Sequence, residues 1–233
     1  MFWDKWQKSG TNYVKGKAWK QEKYNHILDV GFKLFAERGI GQVTLPEVAK
    51  AADVGNATLF RYFPTKTELV IAIAIRRWES FIKWHNSLLT SEETQNLTGA
   101  EYLKFFLDSF LELYRNHKDI LRFNYDFNSF VRSAEWTDEQ KQPYLQMVDA
   151  LSRQFHDLYE RGMRDGTLNA EIPEQTMFSS TFHIMLAAVT RYAAGLAVVN
   201  ESDHESELVM LGDLLLSRFT KIKDTNKTEE ENI

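Results

Sequence analysis

Six histidines, at positions 26, 85, 117, 156, 183 and 204, are the side chains of this 233-residue chain best suited to metal or proton chemistry. Their spacing serves neither. They form no H-E-x-x-H and no cluster suited to a metal, and the recurring Glu-x-x-His of a helical di-iron site is absent. No glycine-rich phosphate loop and no G-x-S-x-G elbow occurs. The chain has no cysteine, which excludes a thiolate zinc site, a cysteine nucleophile and a disulfide framework and suits a reducing compartment. The sequence therefore points to no catalytic residue, no metal and no cofactor, and a helical enzyme becomes the least favoured reading.

The charges are more informative. The net charge is −5, yet residues 1–66 carry eleven Lys/Arg against six Asp/Glu. That leaves a basic head on an acidic body, and a basic head suits a polyanionic partner. A locally uneven solvated face would give the same arithmetic. The first residues, Met1-Phe2-Trp3-Asp4-Lys5-Trp6, lack the apolar core and cleavage site of a secretory signal. The longest apolar stretch, Ile184 to Val199, is interrupted by Arg191 and is shorter than the ~20 residues of a membrane crossing. These features predict a soluble cytoplasmic protein with no membrane partner.

The elements that must carry this head follow from periodicity and end signals. With 4 prolines and 11 glycines, turn-formers are too few for an all-β sandwich. A composition of 43% hydrophobic and 26% charged residues argues for a globular chain over a disordered one. Residues 1–20 mix lysines with Trp3, Trp6, Tyr13 and Trp19 without a clean period and read as an arm. From Gln21, Tyr24, Ile27, Leu28, Gly31, Leu34 and Phe35 follow helical three-and-four spacing up to Gly39 and Gly41. Thr44-Leu45-Pro46-Glu47 is a capping box that opens a short helix. Asp53-Val54-Gly55 makes a turn, with Asp53 able to take a left-handed backbone. A third helix runs from Asn56 to Phe63 and stops at Pro64. Thr65-Lys66-Thr67-Glu68 is a second capping box, launching a long helix. Two short helices across a three-residue turn, after a longer helix, are the pattern of a helix-turn-helix. Further helices are predicted near 101–116, 119–133, 138–165, 174–198 and 204–221, with a polar link over 90–99 and a polar tail over 223–233. The expected fold class is all-α. The expected domains are the arm 1–20, a three-helix helix-turn-helix domain 21–66, and a helical body 67–222, to which the family resemblance described next assigns effector binding and dimerisation.

The string ILDVGFKLFAERGIGQVTLPEVAKAADVGNATLFRYFPTKTELV, Ile27 to Val70, resembles the N-terminal domain of tetracycline-repressor (TetR) family transcriptional regulators. The resemblance lies in the Phe35-Ala36-Glu37-Arg38-Gly39 helix end, Thr44, Val48-Ala49, and Thr58 through Lys66, about a fifth of the chain. It implies that the third helix enters the major groove of double-stranded operator DNA. Asn56, Ala57, Thr58, Phe60 and Arg61 would face DNA, while Leu59 and Phe63 turn inward. Arg61 can grip a guanine with two hydrogen bonds and Asn56 can pair with adenine. Thr44, Tyr62 and Lys66 match positions that hold phosphates, Lys66 at a helix start whose free amides also favour anions. Structural roles are open to each as well: Thr44 as a cap, Tyr62 as a core edge, Arg61 as a surface residue. Three positions depart from the family pattern. Gly55 stands where a capping serine is common, Phe60 where tyrosine is common, and Asp53 where glycine is usual. The lysines of the 1–20 arm can reach an adjacent minor groove or leave DNA untouched.

The body is rich in aromatic and sulfur side chains, most of which a helical bundle needs as core. The resemblance implies a small-molecule effector pocket among the helices after Lys66. Phe106, Phe110, Phe127, Phe130, Phe155 and Phe182 are its candidate walls, with Asn124, Asn128 and His183 as polar candidates. Such a lining suits a hydrophobic or planar aromatic effector of unknown identity. The resemblance also implies a homodimer through the helices near 174–198 and 204–221. The expected function is a repressor released from a palindromic operator by its effector. The alternative is a helical DNA-binding protein without an effector.

Overall fold

The computed structural model describes residues 4–133, 137–196 and 204–221, with side chains from Trp19 onward. Among the described residues the chain is helical, with no strand and one isolated antiparallel bridge, Leu168 to Thr220. It forms two compact units. One contains the residues up to Trp78 together with Asp126–Tyr144; the other contains Glu79–Tyr125 together with the residues from Leu145 onward. No helix among the described residues is long and apolar enough to cross a membrane.

The first unit opens with α1 (Asp4–Arg38), whose backbone is helical well before Gln21, where the sequence reading ended an arm. Extending an existing helix costs far less than nucleating one, so this stretch needs no amphipathic stripe of its own. Ile27, Leu28, Phe32 and Phe35 form the buried face of α1. Gly39 ends it with φ +84, and its N–H reaches the Phe35 carbonyl at 2.9 Å. A single 3-10 turn (Ile40–Gln42) leads to α2 (Leu45–Ala51), α3 (Asn56–Tyr62) and α4 (Lys66–Asn86). Gly31 lets α4 approach closely, since a Cβ there would lie 3.0 Å from the Ile73 Cδ1. The Asp29 carboxylate joins the two helices by ion pairs, 3.3 Å to Arg76 and 2.7 Å to Arg77.

The second unit is built around α6 (Gly99–Asn116), with α5 (Ser91–Asn96) before it and, after it, the part of α7 (Lys118–Ser133) up to Tyr125. The segment read as a polar link thus contains a helix. Its signal is local: Thr90 and Glu93 form a capping box, and Thr98 with Glu101 forms another at the head of α6. α8 (Asp138–Asp165) crosses α6 glycine on glycine. A Cβ on Gly99 would sit 2.1 Å from the Gly162 Cα, and one on Gly162 would sit 2.2 Å from the Leu168 Cγ. The Asp165 carboxylate seals the crossing by accepting the Gly99 N–H at 2.7 Å. The predicted helix near 174–198 begins as α9 (Glu174–Thr181), widens to a π turn over Phe182–Leu186, and resumes as α10 (Ala187–Ala193). Its last residues, 197 and 198, lie outside the described residues, as does the tail over 223–233. α11 (His204–Phe219) packs on α6, and its end is tied back where the Asn169 N–H donates to the Phe219 carbonyl at 2.8 Å.

Candidate nucleic-acid interface

The interface is organised by the turn between α2 and α3. Asp53 takes φ 51, the left-handed conformation that its short polar side chain tolerates, and the Val54 N–H closes the turn on the Ala49 carbonyl at 2.9 Å. Gly55 caps α3 with its carbonyl alone, because it has no side chain to offer the first amides. Leu59 and Phe63 are buried beneath α3. That orientation leaves Asn56, Ala57, Phe60 and Arg61 exposed and Thr58 half-buried. Phe60 is 43% exposed, so an aromatic ring stands on the surface of a short helix with no core role.

The flanking residues are more engaged. Thr44 is exposed, but its hydroxyl donates to the Glu47 Oε2 at 2.8 Å and accepts the Glu47 N–H at 3.4 Å. The backbone N–H of Thr44, then the Arg38 guanidinium at 2.7 Å, hold the Glu47 carboxyl down at about 2. Tyr62 is half-buried, edge-on to Tyr24 at 6.0 Å, and its hydroxyl donates to the Lys20 carbonyl at 3.5 Å. Lys66 is half-buried, with its ammonium 6.0 Å from the Phe35 ring centre and 5.9 Å from that of Phe130. Burial lowers its pKa, against the attraction of Glu47. Thr44 and Tyr62 thus do structural work: the Thr44 N–H and hydroxyl both donate to Glu47 and the Tyr62 hydroxyl donates to Lys20, so each hydroxyl must exchange that partner before it can donate to a phosphate.

The residues expected to line an effector pocket do not come together as one wall. Phe106, Phe110, Phe155 and Phe182 do meet, joined by Phe178, with neighbouring ring centres 4.8 to 5.9 Å apart. They form a packed cluster; Phe106, Phe110 and Phe155 are buried. Asn124 is buried in the same unit and donates to the Thr190 hydroxyl at 3.4 Å. Phe127 and Phe130 belong to the other unit, Phe127 against Tyr144 at 5.3 Å and Phe130 beside Lys66. Asn128 and His183 are exposed, His183 within the π turn that shifts the helical phase. The sequence counts Phe178 and Tyr144 among the aromatic residues of the body without placing them in a pocket wall, and it gives the buried His85 no role. Phe178 lies four residues from Phe182 and His85 four from Phe81, a spacing that marks an inward face but does not say which cluster they join, and Tyr144 has no aromatic residue at such spacing.

Residues 27–73 match the family model described as bacterial regulatory proteins, tetR family. Over these residues the head of the chain is similar to that family's N-terminal domain. The HTH-type transcriptional regulator AcrR of Shigella flexneri is 38% identical over 65 residues, 28% of each chain. The HTH-type transcriptional repressor KstR2 of Rhodococcus jostii is 22% identical over 202 residues, 85% of this chain and 93% of its own. The matches to the first of the curated relatives, AcrR among them, span less than two thirds of those proteins' length. Among solved structures, the regulator FadR of Bacillus subtilis, in complex with stearoyl-CoA, superposes with a TM-score of 0.64 at 18% identity, covering 84% of this chain and 98% of that one. At that identity the likeness is one of fold.

Proposed function

We propose that the regulator acts in the cytoplasm as a homodimer on a palindromic operator, as a repressor that a small molecule releases. The observation that carries this reading is the exposed face of α3. Asn56, Ala57, Phe60 and Arg61 stand clear of the core that Leu59 and Phe63 anchor, on a head with a net positive charge. Arg61 reads a guanine and Asn56 an adenine, Phe60 and Ala57 meet sugar or thymine methyls, and Thr58 borders the groove. Thr44, Tyr62 and Lys66 hold phosphates, Thr44 and Tyr62 by turning their hydroxyl donors from Glu47 and the Lys20 carbonyl to the DNA. The residues before Gln21 add charge that can reach DNA beyond the groove.

Dimerisation is supported by apolar side chains turned to solvent. Ile184 stands just before α10, and Met210 and Leu214 stand on α11, at 56% and 58% exposure. The small residues Ala187, Ala188, Ala193, Ala194 and Gly195 permit a close helix approach. Two recognition helices in such a dimer must sit ~34–36 Å apart to enter successive major grooves. A ligand that tilts α4 changes that separation and weakens DNA binding by its differential affinity for the two arrangements. A solved neighbour that carries stearoyl-CoA supports an effector with a large apolar surface. The packed phenylalanine cluster favours the second reading, a DNA-binding protein without effector.

Operator selection from random duplexes tests the first step, with an inverted repeat as the expected product; selection of no sequence would sink the operator reading. A screen for compounds that release the selected DNA tests the second. Reciprocity requires operator DNA to weaken binding of any releasing compound by the same factor. Equal compound affinity with and without saturating operator would leave the second reading standing.

A further inference from the structure

α6 carries two inward stripes of different character. One holds Phe106 and Phe110 in the packed phenylalanine cluster. The other presents Phe105, Asp108 and Glu112 to a cavity of about 390 Å³, which the end of α4, the π turn and α11 also line. That volume lies within the ~300–1,000 Å³ of small-molecule sites. None of the aromatic residues expected from the sequence to line a pocket faces it. The π turn supplies the fully buried Met185, and α4 supplies His85, which is 7% exposed and stacks on Phe105 at 4.1 Å.

The charges around this cavity do not balance. Lys104 is committed to Asp108, 2.8 Å from both carboxylate oxygens. Arg115 also lines the cavity; it pairs with Glu205, Nη2 2.6 Å from Oε1, and is attracted more weakly by Glu112 and Asp108, which leaves the lining one negative charge in excess. Glu112 accepts a hydrogen bond from the neutral Asn116 amide, and Asp213 lines the cavity from α11. Among the described residues neither Glu112 nor Asp213 has an ion-pair partner. His85 does not compensate them. Burial pushes its pKa down, outweighing the nearby Glu112 and Asp108, so the ring is a neutral aromatic wall at pH 7.

We propose that this cavity is the effector site and that it takes an organic cation, an alkylammonium whose apolar body lies on Phe105 and Met185 and whose head meets Glu112 and Asp213. The proposal rests on the reading of the chain as an effector-released regulator. Burying an organic cation is costly unless carboxylates and aromatic faces receive it, and both are present. An anion of the same length would meet a lining with three carboxylates, Asp108, Glu112 and Asp213, against the two cations Lys104 and Arg115.

The test uses the full chain in calorimetry with three probes of equal chain length below their micelle concentrations: octyltrimethylammonium, 1-octanol and octyl sulfate. The cation is expected to bind at least about tenfold tighter than the alcohol, the ratio given by ~1.4 kcal/mol of charge attraction. The sulfate is expected to bind weakest. Glu112→Gln with Asp213→Asn should remove the cation's advantage and leave octanol binding unchanged. Asp213→Asn alone, at an exposed position, reads out the same loss in part if the double variant folds poorly. Equal affinity for the three probes, or a double variant that keeps the cation preference, overturns the assignment. A cation that binds with the expected pattern yet leaves operator DNA bound upholds the site and overturns the effector reading. Release of DNA by neutral compounds, indifferent to both substitutions, does the reverse.

Discussion

In the reading head, the helix starts and the turn that aim α3 are set within a few residues of sequence. In the body, the decisive features join residues dozens of positions apart. Thr44 with Glu47 and Thr65 with Glu68 start helices by reciprocal hydrogen bonds across three residues. Asp53 turns the chain on its own backbone. The body instead depends on Gly99 meeting Gly162, Arg161 donating to the Leu97 carbonyl at 3.0 Å, and Phe106 meeting Phe155 and Phe182. Local chemistry fixes a small module whose job is to present one helix. Long-range packing fixes a chamber, and its shape cannot be written into any single segment.

The comparison breaks most readily at the glycine crossing. Gly99→Ala places a methyl group 2.1 Å from the Gly162 Cα, so backbone must move. A loss of about 3 kcal/mol or more is expected in urea unfolding, at the upper end of overpacking costs. A loss below ~1 kcal/mol would mean that α6 and α8 do not cross this tightly. The head has its own weak point in Leu59, fully buried beneath α3. Leu59→Ala should cost ~2–4 kcal/mol and abolish DNA binding at temperatures where the body stays folded. Loss of both transitions together would show that the two regions unfold as one.

Smaller effects separate roles within the interface. Arg61→Ala should cost ~1–3 kcal/mol for the preferred sequence and relax preference at one base position per half-site. Lys66→Ala should weaken all sequences alike and lower the slope of log affinity against log salt by roughly one unit per site. A Lys66→Ala protein with altered base preference and an unchanged slope would overturn the assignment. The smallest expected change is at the α2 cap. Thr44→Ala should cost ~1 kcal/mol and let the Glu47 carboxyl rise from about 2 toward the ordinary carboxylate range. Because the folded value is depressed, the cap's contribution is present above the ordinary range and is lost as pH falls toward 2. An NMR titration of Glu47 in both proteins checks the direction.

The sequence by itself determined those helix ends that carry a local signal, because a capping oxygen, a proline or a left-handed residue acts on its immediate neighbours. The helix over 138–165 and the turn at Asp53 were legible for that reason. So were the inward Leu59 and Phe63 and the outward Asn56, Phe60 and Arg61, since one short helix on one small core allows a single phase. The capping box at Thr90 was equally legible in principle and was read through as a polar link. What only the tertiary structure decided is which aromatic residues meet which. Phe105 and Phe106 are adjacent in sequence, yet about 100° of helical rotation puts one against a cavity and the other in a closed cluster. Phe127 and Phe155, both read as one wall, lie in different units. Periodicity tells a side chain to leave water; it does not choose its neighbours, because burial is non-directional and every apolar surface rewards it alike.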